Sequence, residues 1–113
     1  MSIELRGTFE LQCGWVGPHI SVMFPKAERL PTRIAPEAVL IDGNHPTAAT
    51  RSGRTVSLTI APPTGVLCDS IGPGTVRIRF TRAARIGNPR SAGRYTVHAE
   101  HGASVATATF AVH

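Results

Sequence analysis

Lysine, aromatic residues and acidic residues are all scarce in this 113-residue chain, and each scarcity bears on function. Lys26 is the only lysine, so nearly all of the formal net charge of +5 comes from arginine. Aromatic residues make up 5% of the chain, which leaves few side chains for the exposed aromatic platform of a glycan-binding site. The seven acidic residues are scattered, so no pair of carboxylates can be nominated for glycosidase chemistry.

The chain also lacks a long apolar run. Its start, Met1 to Arg6, contains no apolar segment of the length that a secretory signal needs, and no later stretch reaches transmembrane length. We therefore expect no membrane insertion. If this sequence is a complete gene product it predicts a cytoplasmic protein, and export would require a signal elsewhere in a longer chain.

Only two cysteines are present, Cys13 and Cys68. Their spacing fits no zinc site, because such sites commonly need four ligands with close cysteine pairs. A disulfide between them would close a long loop and contribute about 4 kcal/mol in the chain-entropy model. Two buried free thiols fit the sequence equally well.

Short alternating segments are what the chain has in abundance. Glycine and proline (11 and 9 residues) are spread along it and predict turns between many short elements. In the segment 75–80, Val76, Ile78 and Phe80 should face a core while Arg77 and Arg79 face water. The same alternation predicts strands at 8–12, 20–24, 38–41, 54–60, 94–100 and 106–112. We therefore predict one all-β domain over residues 1–113, an antiparallel sandwich of about seven to eight strands in two sheets.

Two connections carry local signals of their own. Asp42-Gly43-Asn44 predicts a tight turn, since glycine and asparagine tolerate positive φ, and Arg82 to Ile86 predicts a single helical turn. Trp15 follows a strand end, and the sequence does not decide between a role in capping the core and an exposed position. The predicted core consists of Ile20, Val22, Phe24, Val56, Leu58, Ile60, Val76, Ile78, Phe80, Tyr95, Val97 and Phe110.

A family resemblance runs through most of residues 8–112. The segment from Ile86 to Val97, IGNPRSAGRYTV, resembles an I-x-N-P-x-x-A-G-x-Y-x-x-x-V pattern of immunoglobulin-like domains in bacterial extracellular proteins. Such domains occur beside S-layer or copper-amine-oxidase-like modules. The segments 20–25, 30–31 and 39–43 resemble the family's I-x-V-x-F-P, L-P and V-x-V-N-G regions in the same order.

The resemblance implies a setting outside the cell and no catalytic residues. It predicts a non-enzymatic structural, adhesion or presentation module of a bacterial extracellular or cell-surface protein, with no cofactor. The implied partners are other domains of a parent surface protein or a cell-wall polymer. The oligomeric state is not predicted.

For each residue that could act in catalysis or metal binding, a purely structural role fits the sequence better. Ser104 lies in a G-x-S-x-A string that leads into a strand, whereas a nucleophile elbow leads into a helix, and Cys13 continues an apolar face on which a thiol is inert packing. His98 and Glu100 point the same way on a strand with His101 at the following turn, but no further fixed ligand is evident. We predict no catalytic, cofactor-binding or metal-binding residues.

The arginines are the strongest binding candidates. Arg77, Arg79, Arg82 and Arg85 are close in sequence, and Arg94 could approach them from a neighbouring strand together with Arg90. This face predicts, as the alternative function, a ligand-binding β-sandwich that recognises a polysaccharide or other polyanion. A solvated strand face is the simpler interpretation. Nucleic acid is disfavoured as the ligand, because Phe80 and Tyr95 alternate inward and cannot stack on bases.

Overall fold

The computed structural model describes residues 2–9, 19–26, 28–60, 74–87 and 89–112. Eight strands and two short 3₁₀ helices cover most of them. In chain order these elements are β1 (Ile3–Phe9), β2 (His19–Met23), η1 (Pro36–Ala38), β3 (Val39–Ile41), β4 (Ala48–Ser52), β5 (Thr55–Thr59), β6 (Gly74–Phe80), η2 (Arg82–Ala84), β7 (Gly93–His101) and β8 (Ser104–Val112).

All eight strands join one antiparallel sheet in the order β3-β6-β1-β8-β7-β2-β5-β4. The prediction of an all-β fold with seven to eight antiparallel strands is therefore confirmed. The predicted division into two separate sheets is not what the hydrogen bonds show, because β1 pairs with both β6 and β8 and so connects the two halves.

Strong curling brings together strands that are far apart in this sheet. Phe24, just after β2, and Phe80, at the end of β6, pack edge to face with ring centroids 5.4 Å apart. Three strands lie between β2 and β6 in the sheet, so a flat sheet would hold these residues about 19 Å apart. The sheet therefore closes over its own inner face, and one curled sheet encloses the core.

The core lies on the inner face and follows the period of two that the sequence predicts. Ten of the twelve predicted core residues are fully buried. The other two, Tyr95 and Phe110, are half-buried and stack on each other across the β7–β8 pair with ring centroids 5.8 Å apart. Ile3 and Leu5 on β1, and Ile34 and Ile86 in connecting segments, complete the core although no alternating pattern predicted them there.

Two strands differ from the prediction. β1 begins at Ile3, whereas the alternation had indicated a strand over 8–12, of which only the first two residues are described. β4 was not predicted at all. It is the last strand of the sheet and none of its side chains is fully buried, so it carries no alternating apolar signal.

The predicted turns are present. Asp42 and Gly43 have φ of 49° and 85°, and the N–H groups of Ile41 and Asn44 each donate to the other residue's carbonyl oxygen at 2.7 and 3.0 Å. This closes a tight turn after β3, which then pairs with β6 rather than with the following strand. The helical turn predicted at Arg82 to Ile86 is the short helix η2.

Two contacts hold the 86–97 segment, which carries part of the family resemblance. Arg29 and Gly87 form an isolated antiparallel bridge, with the Gly87 N–H donating to the Arg29 carbonyl at 2.9 Å. The hydroxyl of Tyr95 donates to the carbonyl of Ser91 at 2.7 Å, which fixes the approach of the chain to β7. Within the described residues, no helix is long and apolar enough to cross a membrane.

Candidate functional site

The outer face of β6 carries the arginines that the sequence singled out. Arg77 and Arg79 are exposed there, and they lie opposite Arg6 and Glu4 of β1, respectively. Together with the edge strand β3 they form a groove of about 540 Å³. Its lining residues are Glu4, Leu40, Asp42, Gly43, Arg77 and Arg79.

Carboxylates share this groove with the arginines. Glu4 accepts an ion pair from Arg6, with Oε2 and Nη2 3.0 Å apart, and Asp42 Oδ1 accepts from the Arg77 backbone N–H at 2.8 Å. Three guanidinium groups therefore face two carboxylates, and the local excess of positive charge is small. The groove presents mixed charges rather than a uniformly basic surface.

The other predicted members of the arginine face are not among the residues that line this groove. Arg82 and Arg85 are exposed on and directly after η2, where Arg85 has a left-handed backbone with φ of 57°. Arg94 lies at the start of β7, and both β1 and β8 separate β7 from β6. The expectation that Arg94 approaches the others from a neighbouring strand is therefore wrong. Nothing in the sequence indicated the strand order.

The histidines of β7 are divided between the two faces. His98 and Glu100 are exposed on the outer face and line a small cavity of about 190 Å³ beside Met23. His101 is buried on the inner face, where its Nδ1 lies 2.9 Å from the carbonyl oxygen of His19 and must donate to it. In the part of the chain that the structure describes, no three metal-binding side chains come together.

A second group of basic residues lies at the β4–β5 turn, and the sequence did not single it out. A cavity of about 580 Å³ opens there between this turn and the segment that follows β2. We call it the basic pocket, and its lining residues are Lys26, Glu28, Arg29, Leu30, Arg51, Gly53 and Arg54.

Glu28 is the one acidic residue of the basic pocket. Its side chain is 9% exposed, and neither carboxylate oxygen has a hydrogen-bond partner among the described residues. Burial raises the pKa of Glu28 from 4.5 to about 7, and the positive charges of the N-terminal amino group and of Arg29 oppose this shift without cancelling it. A substantial fraction of the carboxyl groups is therefore neutral near pH 7.

Three residues that the sequence marked for attention lie outside the described residues. They are the candidate disulfide partners Cys13 and Cys68, and Trp15. The disulfide and the position of the tryptophan both stay predictions.

Comparison with known proteins yields a likeness of fold. No protein-family model matches the sequence, and no curated protein matches it. Among solved structures, the chain is similar to BslA, described as a bacterial hydrophobin, with a TM-score of 0.52 and 20% sequence identity. The match covers 99% of this chain and 82% of that one. At this level of identity the likeness establishes an all-β architecture shared with a bacterial protein.

Proposed function

We propose that the chain is a non-enzymatic module of a bacterial extracellular or cell-surface protein, and that it presents one end of its sheet away from the point of attachment. The observation that carries the proposal is the pairing of the first strand with the last. The resemblance also implied spacing and adhesion as related roles, and the pairing of these two strands does not by itself support either of them.

The register of β1 and β8 decides the direction of presentation. Arg6 pairs with Thr107 and Thr8 pairs with Val105 in antiparallel orientation. Residues before Arg6 therefore run beside residues after Thr107, so the chain enters β1 and leaves β8 at the same end of the sheet. The turn between β7 and β8, at Gly102 and Ala103, lies at the opposite end.

This geometry suits presentation better than spacing. Domains that act as spacers in a row have their connections at opposite ends, whereas here any flanking domain would connect at one end. The far end is then free to face a partner. The proposed partners are a cell-wall polymer or other domains of the parent protein.

An immunoglobulin-like relationship is the finer part of the proposal. The Tyr95 hydroxyl bonded to the Ser91 carbonyl is supporting geometry, because a tyrosine near a strand start that bonds a few residues upstream is typical of immunoglobulin-like sandwiches. The bridge between Arg29 and Gly87 also joins the 86–97 segment to the residue directly before the L-P segment 30–31. The likeness to a protein described as a bacterial hydrophobin supports the bacterial setting.

Surface labelling tests the proposed location and orientation together. A peptide epitope inserted between Gly102 and Ala103, in the protein expressed by its native bacterium, should bind antibody on intact cells and be removed by added protease. An epitope on a cytoplasmic protein of the same cells is the control for lysis. An inserted epitope that stays protected until the cells are broken would contradict the surface assignment.

Polyanion binding at the outer face of β6 remains the second proposal. Its support is the size of the groove beside Arg77 and Arg79, about 540 Å³, which falls within the range of ligand sites. The two carboxylates of the groove oppose it. Weaker binding of a heparin tetrasaccharide to Arg77→Ala/Arg79→Ala than to the native protein would support it, and unchanged binding would contradict it.

A further inference from the structure

Two backbone features bring the basic pocket together from distant parts of the chain. The β4–β5 turn contains Gly53 with φ of 60°, and the carbonyl of Arg54 accepts a hydrogen bond from the Phe24 N–H at 2.9 Å. This bond holds the turn against the segment that leaves β2. Lys26 and Arg54 are thereby placed on the wall of one cavity, although the sequence separates them widely.

The position of Arg51 is also unusual. It lies opposite Val56 in the β4–β5 pair and so shares the register of residues that face inward. It is nevertheless exposed, because β4 is the last strand of the sheet and its end projects beyond the core. Its side chain lines the basic pocket instead of packing in the interior.

Three cations of the pocket, Lys26, Arg51 and Arg54, are exposed, and none of them forms an ion pair with a described carboxylate. The guanidinium of the fourth, Arg29, lies against Gly87, where a Cβ atom would meet its Nε at 3.0 Å, and its charge acts on Glu28. Three positive charges without an acidic partner among the described residues therefore line a single cavity.

Glu28 does little to offset these charges. It is buried, its oxygens lack hydrogen-bond partners in the described part of the chain, and burial raises its pKa to about 7. Near pH 7 about half of the Glu28 carboxyl groups are therefore neutral, which weakens their repulsion of an anion in the pocket.

The basic surface continues beyond the pocket. Arg51 also lines a neighbouring cavity of about 340 Å³, to which Arg33 contributes a further positive charge. The two cavities follow one another along the edge strand β4. A ligand with charges spaced along its length could occupy both.

We propose that the basic pocket is a binding site for a short linear polyanion that carries phosphate or sulfate groups. Arginine suits these groups because its planar fork donates paired hydrogen bonds to two oxygens. The volume of about 580 Å³ falls within the range of small-molecule sites and exceeds what one phosphate would fill. This site is separate from the groove on β6, and the proposal does not depend on the function proposed above.

Binding of two defined probes tests the proposal. Tripolyphosphate and a heparin tetrasaccharide would be titrated into the purified protein by calorimetry at low salt, to separate phosphate from sulfate recognition. The variant Arg51→Ala/Arg54→Ala should bind at least one probe roughly tenfold more weakly than the native protein, because it removes two charge-assisted contacts. Binding by the native protein should also weaken between about 50 and 200 mM salt.

The matched control is Arg90→Ala/Arg94→Ala, which removes the same net charge from exposed positions before and at the start of β7. Its affinity should stay within about twofold of the native value, since these residues lie outside the pocket. All four arginine side chains are exposed, so we expect both variants to fold, and their circular dichroism and midpoints of unfolding would verify this. Equal losses in the two variants, a larger loss in the control, or no binding of either probe to the native protein would each overturn the proposal.

A conservative variant separates a specific arginine site from a general charge effect. Arg51→Lys/Arg54→Lys keeps the net charge but removes the paired donors. We expect its affinity to lie between the native and alanine values, because lysine acts as a point charge. Affinity as weak as that of the alanine variant would still agree with an arginine-specific pocket, whereas unchanged affinity in both the lysine and the alanine variants would contradict it.

Discussion

Glu28 is the residue at which burial and charge act most directly against each other. The side chain lies below the surface of a cavity lined by basic residues, yet the structure gives its carboxylate oxygens no hydrogen-bond partner in the described part of the chain. Removing a carboxylate from water favours its protonated form, and the nearby Arg29 compensates only in part. Its protonation is therefore coupled to folding.

The pH dependence of stability should reveal this coupling. The pKa of Glu28 is about 7 in the folded protein and 4.5 without the fold, so between these values the folded state holds a proton that the unfolded state has released. Stability should fall as the pH rises through this range, by about 3 kcal/mol from this one group. Glu28→Gln stays neutral and should lose this dependence. Its free energy of unfolding relative to the native protein should increase by about that amount between pH 4.5 and about pH 8, as measured by urea denaturation.

The stability of a variant at a second, exposed glutamate shows whether pH affects stability through other groups. Glu37 is exposed on η1, and Glu37→Gln should alter stability by less than about 0.5 kcal/mol at either pH. The charges of Lys26, Arg29, Arg51 and Arg54 are present in both the native protein and the Glu28 variant, so they enter the difference only through their interaction with the Glu28 carboxylate. A difference between Glu28→Gln and the native protein that does not change with pH would contradict our account of Glu28.

At the scale of strands, the sequence predicted the strands whose side chains alternate between apolar and polar, and it missed the strand without this alternation. Strand β6 follows the predicted inward and outward pattern because one face packs on the core and the other is wet. Strand β4 escaped prediction because an edge strand with exposed side chains needs no apolar alternation. The sequence did not predict the basic pocket for a related reason. Its residues come from a turn and a loop, which the hydrogen bond from the Phe24 N–H to the Arg54 carbonyl brings together.

The pairing of β1 with β8 depends on a single glycine. A Cβ atom on Gly7 would lie 2.5 Å from the Cα of Ala106 and closer still to the carbonyl oxygen of Val105. These are backbone atoms of the partner strand and cannot move aside without disrupting the pairing. Gly7→Ala should therefore destabilise the protein by at least about 3 kcal/mol, measured by urea denaturation.

Gly53→Ala provides the comparison. A Cβ atom on Gly53 would meet no other atom. The Gly53→Ala substitution should therefore lower the free energy of unfolding only through the strain of a φ of 60°, by about 1 kcal/mol. A Gly7→Ala variant that is as stable as Gly53→Ala would show that β1 and β8 do not approach as closely as described.

At the scale of the whole molecule, the curl of the sheet replaces the two-sheet arrangement that the sequence predicted. Alternation along a strand tells which side chains face inward, but it contains no information about which strands are neighbours. The same inward residues fit two facing sheets or one sheet that curls over itself. Strand order also explains why the predicted arginine face does not form as expected, because β1 and β8 separate Arg94 from Arg77 and Arg79.

The contact between Phe24 and Phe80 is the point at which curling can be measured. Their rings come within 5.4 Å although β1, β8 and β7 lie between their strands. A double-mutant cycle with Phe24→Leu and Phe80→Leu should give a coupling free energy of about 0.5–1.5 kcal/mol. Tyr95 and Phe110 are the reference pair, because they stack across neighbouring strands and should couple whatever the curvature of the sheet. Coupling in the reference pair together with none between Phe24 and Phe80 would mean that β2 and β6 do not meet across the core, and the core would then require a different closure.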